Sequence, residues 1–209
     1  MMNYKKFINF FLASMIAAGL ALLFGKSDWF PSFYMPKFMG IASFASALLI
    51  ILPKIIFRPA DEKKKEALIK LQFYTAVALV LNGLGGLGFF QFYRYGLPYD
   101  KIVHFIVSLM ATIGLTQFIC AWWNWEFKKA ITAVIILIMA GGVGWEGFEF
   151  LTDFVFKTKT FGIYGEYVNK DTIMDIILNV LGIIAGFIIL LKRKKLASPY
   201  KTGRHGFEP

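Results

Sequence analysis

Polar side chains recur at helical spacing in the second half of this chain, among long runs of apolar residues. Side chains three or four residues apart lie on the same face of a helix. Three segments show this spacing: Asp100 with His104, then Glu146 with Glu149 and Asp153, and finally Asp171 with Asp175 and Asn179. The sequence therefore predicts three helices that each carry one stripe of acidic or histidine side chains.

Carboxylates and an imidazole in a partly dry volume need a compensating cation or proton, because like charges repel more strongly away from water. Carboxylate oxygens with one histidine and no thiolate suit a hard or borderline divalent ion such as Mg²⁺, Mn²⁺, Fe²⁺ or Zn²⁺. We predict a metal site with four ligands: His104, Glu146, Glu149 and Asp175. We expect Asp100 and Asp171 to support these ligands or to act as a general base.

Two other uses of the same residues are consistent with their types and spacing. The carboxylates could share protons, which suits acid–base catalysis or proton movement. Alternatively, the stripes hold the helices together, with Lys101, Lys170 or Arg94 pairing with the acids and Asn179 bonding across helices. The residues alone leave metal binding, proton chemistry and helix contact open.

Other common sites are excluded by the residues that they require. The chain has only two histidines, His104 and His205, which excludes both a zincin motif and a two-histidine phosphatase site. Gly25-Lys26-Ser27 matches the end of a P-loop, but Leu20 stands where that motif needs its first glycine. Cys120 is the single cysteine, so no disulfide forms within the chain. We expect no nucleotide cofactor.

Six apolar runs must position the polar stripes. Each is long enough for a helix to cross the roughly 30 Å hydrocarbon core of a bilayer. The runs span residues 7–24, 38–57, 71–93, 102–123, 130–156 and 172–191. We predict an all-α integral membrane bundle over residues 1–196, a charged connector at 59–70 and a flexible cytoplasmic tail at 197–209.

The composition agrees with a membrane protein and excludes an ordinary soluble enzyme. Of the 209 residues, 57% are hydrophobic and only 17% are charged, with a mean hydropathy of +0.60. Soluble domains usually have about 25% charged residues. The net charge of +10 does not predict nucleic-acid binding, because the basic residues are spread over several segments rather than gathered on one face.

The basic residues instead predict the orientation in the membrane. Most of the 23 Lys and Arg lie in segments on the same side as the N-terminus, and such segments stay cytoplasmic under the positive-inside rule. We therefore expect both termini in the cytoplasm. The acidic stripes then meet at the extracytoplasmic ends of helices four to six, where the loop at 157–170 could cover them.

Three strings in this region resemble two groups of bacterial membrane proteins, the VanZ-like and the YjdF-like proteins. The strings are YDKIVHFIVSLMATIGL, GWEGFEFLTD and DTIMDIILNVLGIIAG. The residues that match the shared pattern are Asp100, His104, Phe105, Glu146, Glu149, Asp171, Asp175, Asn179 and Gly182. Glu149 favours the YjdF-like form, because VanZ-like proteins typically have Gln at this position. The resemblance implies a polytopic plasma-membrane protein of bacteria or archaea, and it implies no known reaction.

Three functions follow from these observations as hypotheses. The first is a divalent-metal-dependent enzyme or binding protein, surrounded by membrane lipid, that acts on a lipid-linked or envelope substrate. The second is a proton- or cation-coupled carrier, although the inner halves of helices four to six offer few polar residues for a path. The third is a structural or assembly subunit that uses the polar stripes as helix contacts.

Overall fold

The computed structural model describes residues 3–26, 29, 36–156 and 168–197, without the side chains at 153, 156, 168, 169 and 194–197. Six α-helices occur in this order: α1 (Tyr4–Phe24), α2 (Pro36–Ile56), α3 (Glu62–Gly86), α4 (Tyr99–Trp123), α5 (Phe127–Phe156) and α6 (Val168–Ala197). A short 3₁₀ helix at Phe89–Tyr95 precedes α4. No strand occurs in the ranges that the structure describes. The predicted all-α architecture with six spans is confirmed.

The beginning of α3 differs from the prediction. The prediction of a connector at 59–70 is wrong for most of this segment, because α3 already begins at Glu62. Asp61 caps the helix by accepting a hydrogen bond from the backbone amide of Lys64 at 2.8 Å. Two ion pairs then stabilise the first turns: Glu62–Lys65 and Glu66–Lys70. Hydropathy detects only the apolar part of such a helix, so its charged first turns were missed.

The end of α3 also differs from the apolar run, which continues to residue 93. Gly88, two residues after the end of α3, has a φ of +118°, in the left-handed region that favours glycine, and it precedes the 3₁₀ helix. Gly85 lies against the ring of Phe90, which leaves no room for a Cβ atom. The glycines therefore end the span at Gly86 and fold the following aromatic residues back against it.

α4 lies at the centre of the bundle, where it contacts α3, α5 and α6. The contact between α4 and α6 is the most extensive of these, and α1, α2 and α3 pack against one another. At one end of the bundle the beginning of α3 meets the end of α4 in a small apolar cluster: Ala67, Leu68, Phe118 and Ala121. The first turn of α4 therefore lies at the opposite end.

The outer surface of the bundle is apolar. Large exposed side chains occur on several helices, among them Phe10, Ile41, Ile136 and Phe154. All six helices have the length and hydropathy of membrane spans. Six helices of this length and hydropathy, with large apolar side chains on their outer surface, indicate a multi-pass membrane protein. The tail beyond residue 197 and most of the loop at 157–170 lie outside the described residues.

Candidate functional site

Two glycines bring the backbone of α6 close to that of α4. A Cβ atom at Gly182 would collide with the carbonyl oxygen of Phe105. One at Gly186 would lie 2.9 Å from the carbonyl oxygen of Leu109 and 2.8 Å from Cβ of Thr112. Small residues permit this approach of two helices within lipid. The first turns of the two helices therefore meet, and the acids of α6 lie beside the acids of α4.

Lys101 lies at the centre of these acids. Its Nζ atom donates to Asp171 Oδ1 at 2.6 Å, to Asp175 Oδ1 at 2.6 Å and to Asp100 Oδ2 at 3.1 Å. The Nζ atom also lies 3.4 Å from the backbone carbonyl oxygen of Asp171. One ammonium group thus pairs with three carboxylates and joins α4 to α6. The sequence predicts Lys101 only as one of several possible partners of the acids. Its central position could have been predicted from its place next to Asp100 in the first turn of a membrane span.

His104 faces the acids with one ring nitrogen and an amide with the other. Its Nε2 atom lies 3.6 Å from Asp100 Oδ1, 3.7 Å from Asp175 Oδ1 and 4.0 Å from Glu146 Oε1. Its Nδ1 atom lies 3.4 Å from Asn179 Oδ1, which also accepts a hydrogen bond from Ser108 at 2.7 Å. In the tautomer with its proton on Nδ1, His104 donates to Asn179 and its Nε2 atom presents a lone pair on the side of the three carboxylates.

Glu146 brings α5 into the cluster. Glu146 is only 8% exposed, and its Oε2 atom accepts a hydrogen bond from the hydroxyl of Thr172 at 3.1 Å. The other oxygen, Oε1, is buried and has no hydrogen-bond partner among the described residues. Burying a carboxylate oxygen without a hydrogen bond costs free energy. A cation or a proton between this oxygen and Nε2 of His104 would interact favourably with both atoms. Thr172 was missed because it lies beside Asp171, off the acidic stripe.

The residues that the structure brings close to His104 are not the same as the predicted ligands. Ligand atoms of Asp100, His104 and Asp175 all lie within 4.8 Å of one another, and Glu146 faces His104. Glu149 accepts a hydrogen bond from Trp145 Nε1 at 2.8 Å and is not one of the three residues of that group. Three of the four predicted ligands are thus brought together, and Asp100 joins them.

The structure describes the side chain of only one of the two remaining predicted acids, Asp171. Asp171 contacts Lys101 at the rim, where its side chain is 43% exposed. The side chain of Asp153 and residues 157–167 lie outside the part that the structure describes.

Oxygen ligands with one imidazole nitrogen suit a divalent ion at about 2.0–2.6 Å. The donor types and their proximity therefore fit a cation, with Lys101 as a positive charge already among them.

Comparison with known proteins assigns the chain to a family but identifies no reaction. No curated protein and no solved structure matches the chain. One family model matches residues 7–195, which include every residue of the cluster and all of the six spans except the first three residues of α1. The chain accordingly belongs to the family described as "Predicted membrane protein (DUF2238)".

Proposed function

We propose that the chain binds a divalent metal ion between α4, α5 and α6, and that it uses this site to bind or transform a lipid-linked or envelope substrate. One observation supports this most directly: the buried Oε1 atom of Glu146, which has no hydrogen-bond partner among the residues that the structure describes, lies on the side of Nε2 of His104 that also faces Asp100 and Asp175. A metal ion there would supply Lewis acidity toward a phosphoryl or carbonyl oxygen. His104, Asp175, Glu146 and Asp100 would hold it.

The position of the cluster supports a substrate that reaches the site from the lipid or the membrane surface. The cluster lies in the first turns of two spans, and the neighbouring part of α5 exposes large apolar side chains, including Phe148, Leu151 and Phe154. Asp171 is exposed at the rim and is our candidate general base, with Asp100 as the alternative. We further propose that this end faces outward in the plasma membrane, and that the chain is YjdF-like within its family.

Metal analysis of the purified protein tests the proposal. We expect about one divalent ion per wild-type chain, and loss of at least about tenfold in affinity in Asp175→Asn and Glu146→Gln. Glu149→Gln should weaken binding less, because the Glu149 carboxylate accepts from Trp145, whereas Oε1 of Glu146 lies 4.0 Å from Nε2 of His104. Glu66→Gln is the matched control, since Glu66 pairs with Lys70 at the other end of the bundle. Equal metal content in all variants would contradict the proposal.

A structural role is the second candidate, and the contacts between α4 and α6 favour it. Lys101 pairs with both acids of α6, and Ser108 donates to Asn179 within the helix interface. These contacts would exist without any ligand. If Asp175→Asn lowers the thermal stability of the protein and no preparation contains a stoichiometric metal, the structural role replaces the metal site.

A proton- or cation-coupled carrier is the third candidate. Buried hydroxyl groups continue inward from His104 along one face of α4 at Ser108, Thr112 and Thr116. However, Thr112 donates its proton to the backbone carbonyl of Ser108, as hydroxyls in membrane helices commonly do. Apolar side chains including Ile113, Ile131 and Leu190 pack together in the same part of the bundle. Uptake of the bound ion into vesicles would favour this role.

A further inference from the structure

Lys101 uses its three donors on three carboxylates that belong to the proposed metal site or border it. The ammonium pairs with Asp100, Asp171 and Asp175, and its side chain is only 18% exposed. An ammonium group has three protons and no acceptor, so its hydrogen-bonding capacity is filled by these acids. Lys101 is therefore a cation that holds the acids of α4 and α6 together.

The same oxygen atom of Asp175 faces both Lys101 and His104. Oδ1 lies 2.6 Å from Nζ of Lys101 and 3.7 Å from Nε2 of His104. A divalent ion held by His104 and Asp175 would bind this oxygen at about 2.0–2.6 Å. The ion and the ammonium would then share one oxygen and repel each other strongly, since the site is largely shielded from water.

Asp171 offers Lys101 a place to move to. Its carboxylate lies at the exposed rim of the cluster and already accepts from Nζ at 2.6 Å, and its backbone carbonyl lies 3.4 Å from the same atom. Asp175, by contrast, is buried. A small outward movement of the flexible lysine chain would keep the contact with Asp171 and release Asp175.

We propose that Lys101 is an internal counter-ion that must leave Asp175 before a divalent ion binds, and that it thereby sets the affinity of the site for metal. This inference rests on the proposed function. It adds that the site exchanges one cation for another, with Asp171 holding the displaced lysine. Lys101 is a residue that determines affinity rather than a ligand.

Binding of Mn²⁺ to the purified full chain at about 0.15 M salt, where surface charges are screened over about 8 Å, tests this exchange. We expect Lys101→Met to bind Mn²⁺ at least about tenfold more tightly than the wild type, because a competing charge is removed. Lys170→Met is the matched control: Lys170 is exposed near the start of α6 and is absent from the ion pairs of the described cluster. Its affinity should change much less.

Chemical labelling of the wild type provides a second measurement that needs no variant. Acetylation of the Lys101 amine should become faster on addition of Mn²⁺, while acetylation of Lys170 in the same sample stays unchanged. Unchanged labelling of Lys101 in the presence of bound Mn²⁺ overturns the inference and leaves the metal site standing, as does equal affinity in wild type and Lys101→Met. If neither protein binds Mn²⁺, the proposed function fails and the inference fails with it. Binding by the variant alone supports the inference.

Discussion

His104 and Asn179 illustrate how single side chains divide their contacts in this protein. Asn179 Oδ1 receives the hydroxyl of Ser108 and lies within reach of Nδ1 of His104. The amide thereby orients the imidazole so that its other nitrogen faces the carboxylates. Gly142 of α5 lies against the nitrogen of the same amide, with no room for a Cβ atom of its own. One buried amide of α6 therefore contacts both α4 and α5.

The bond between Ser108 and Asn179 should contribute measurable stability. In a double-mutant cycle of Ser108→Ala and Asn179→Ala, we expect a coupling energy of about 0.6 kcal/mol, a value typical of hydrogen bonds between membrane helices. Unfolding in mixed micelles, followed by circular dichroism, measures it. Gln72→Ala combined with Asn179→Ala is the control, because Gln72 bonds to Ile50 in a different helix pair. Zero coupling between Ser108 and Asn179 would show that the bond does not stabilise the fold.

The pairing of α4 with α6 is the main contact at the scale of elements, and it depends on close backbone approach. Gly182 and Gly186 lie one turn apart on the face of α6 that meets α4. Beyond them, toward the first turn, the same face presents Asn179, Asp175 and Asp171. The glycines therefore set the distance between the helices, and that distance lets Lys101 reach both acids.

Gly182→Ala should destabilise the protein and loosen the site. Its new Cβ would overlap with a backbone oxygen of α4, which cannot move aside as a side chain could, so we expect a loss of about 1–3 kcal/mol. Gly144→Ala is the matched control, because a Cβ there would meet nothing within 4 Å. Thermal unfolding of the two variants gives the comparison. Equal midpoints for both would contradict the assigned role of Gly182.

At the scale of the whole molecule, charged residues are distributed differently at the two ends of the bundle. The beginning of α3 and the beginning of α5 carry basic residues, among them Lys63, Lys64, Lys70, Lys128 and Lys129. The acidic cluster occupies the other end, where α4 and α6 begin. This distribution agrees with the proposed orientation, in which basic residues stay with the cytoplasmic leaflet and its anionic lipids.

Cysteine labelling in intact cells tests this orientation. In a Cys120→Ser background, we expect Tyr95→Cys to react with a membrane-impermeant maleimide, because Tyr95 is exposed just before α4 at the proposed outer end. Glu62→Cys, at the beginning of α3, should react only after the membrane is permeabilised. The reverse pattern would place the acidic site in the cytoplasm and would remove the extracytoplasmic substrate from the proposal.

Much of the fold was predictable because it depends on local properties. Span length and hydropathy predict six helices, since each must satisfy its own backbone hydrogen bonds within lipid. The errors occur where local chemistry overrides hydropathy, as with Asp61 at the beginning of α3 and Gly88 after its end. The three polar stripes were also predictable, because a period of three to four residues identifies the face of a helix.

The sequence by itself determined the number of helices and the polar face of each, because these depend on residues close together in the chain. Only the tertiary structure decided which side chains meet. The rotation and depth of α4, α5 and α6 relative to one another set distances that periodicity does not contain. Those distances place Asp100 close to His104 and Asp175, and they put Lys101 between the acids of two helices. They also let Glu149 accept a hydrogen bond from Trp145.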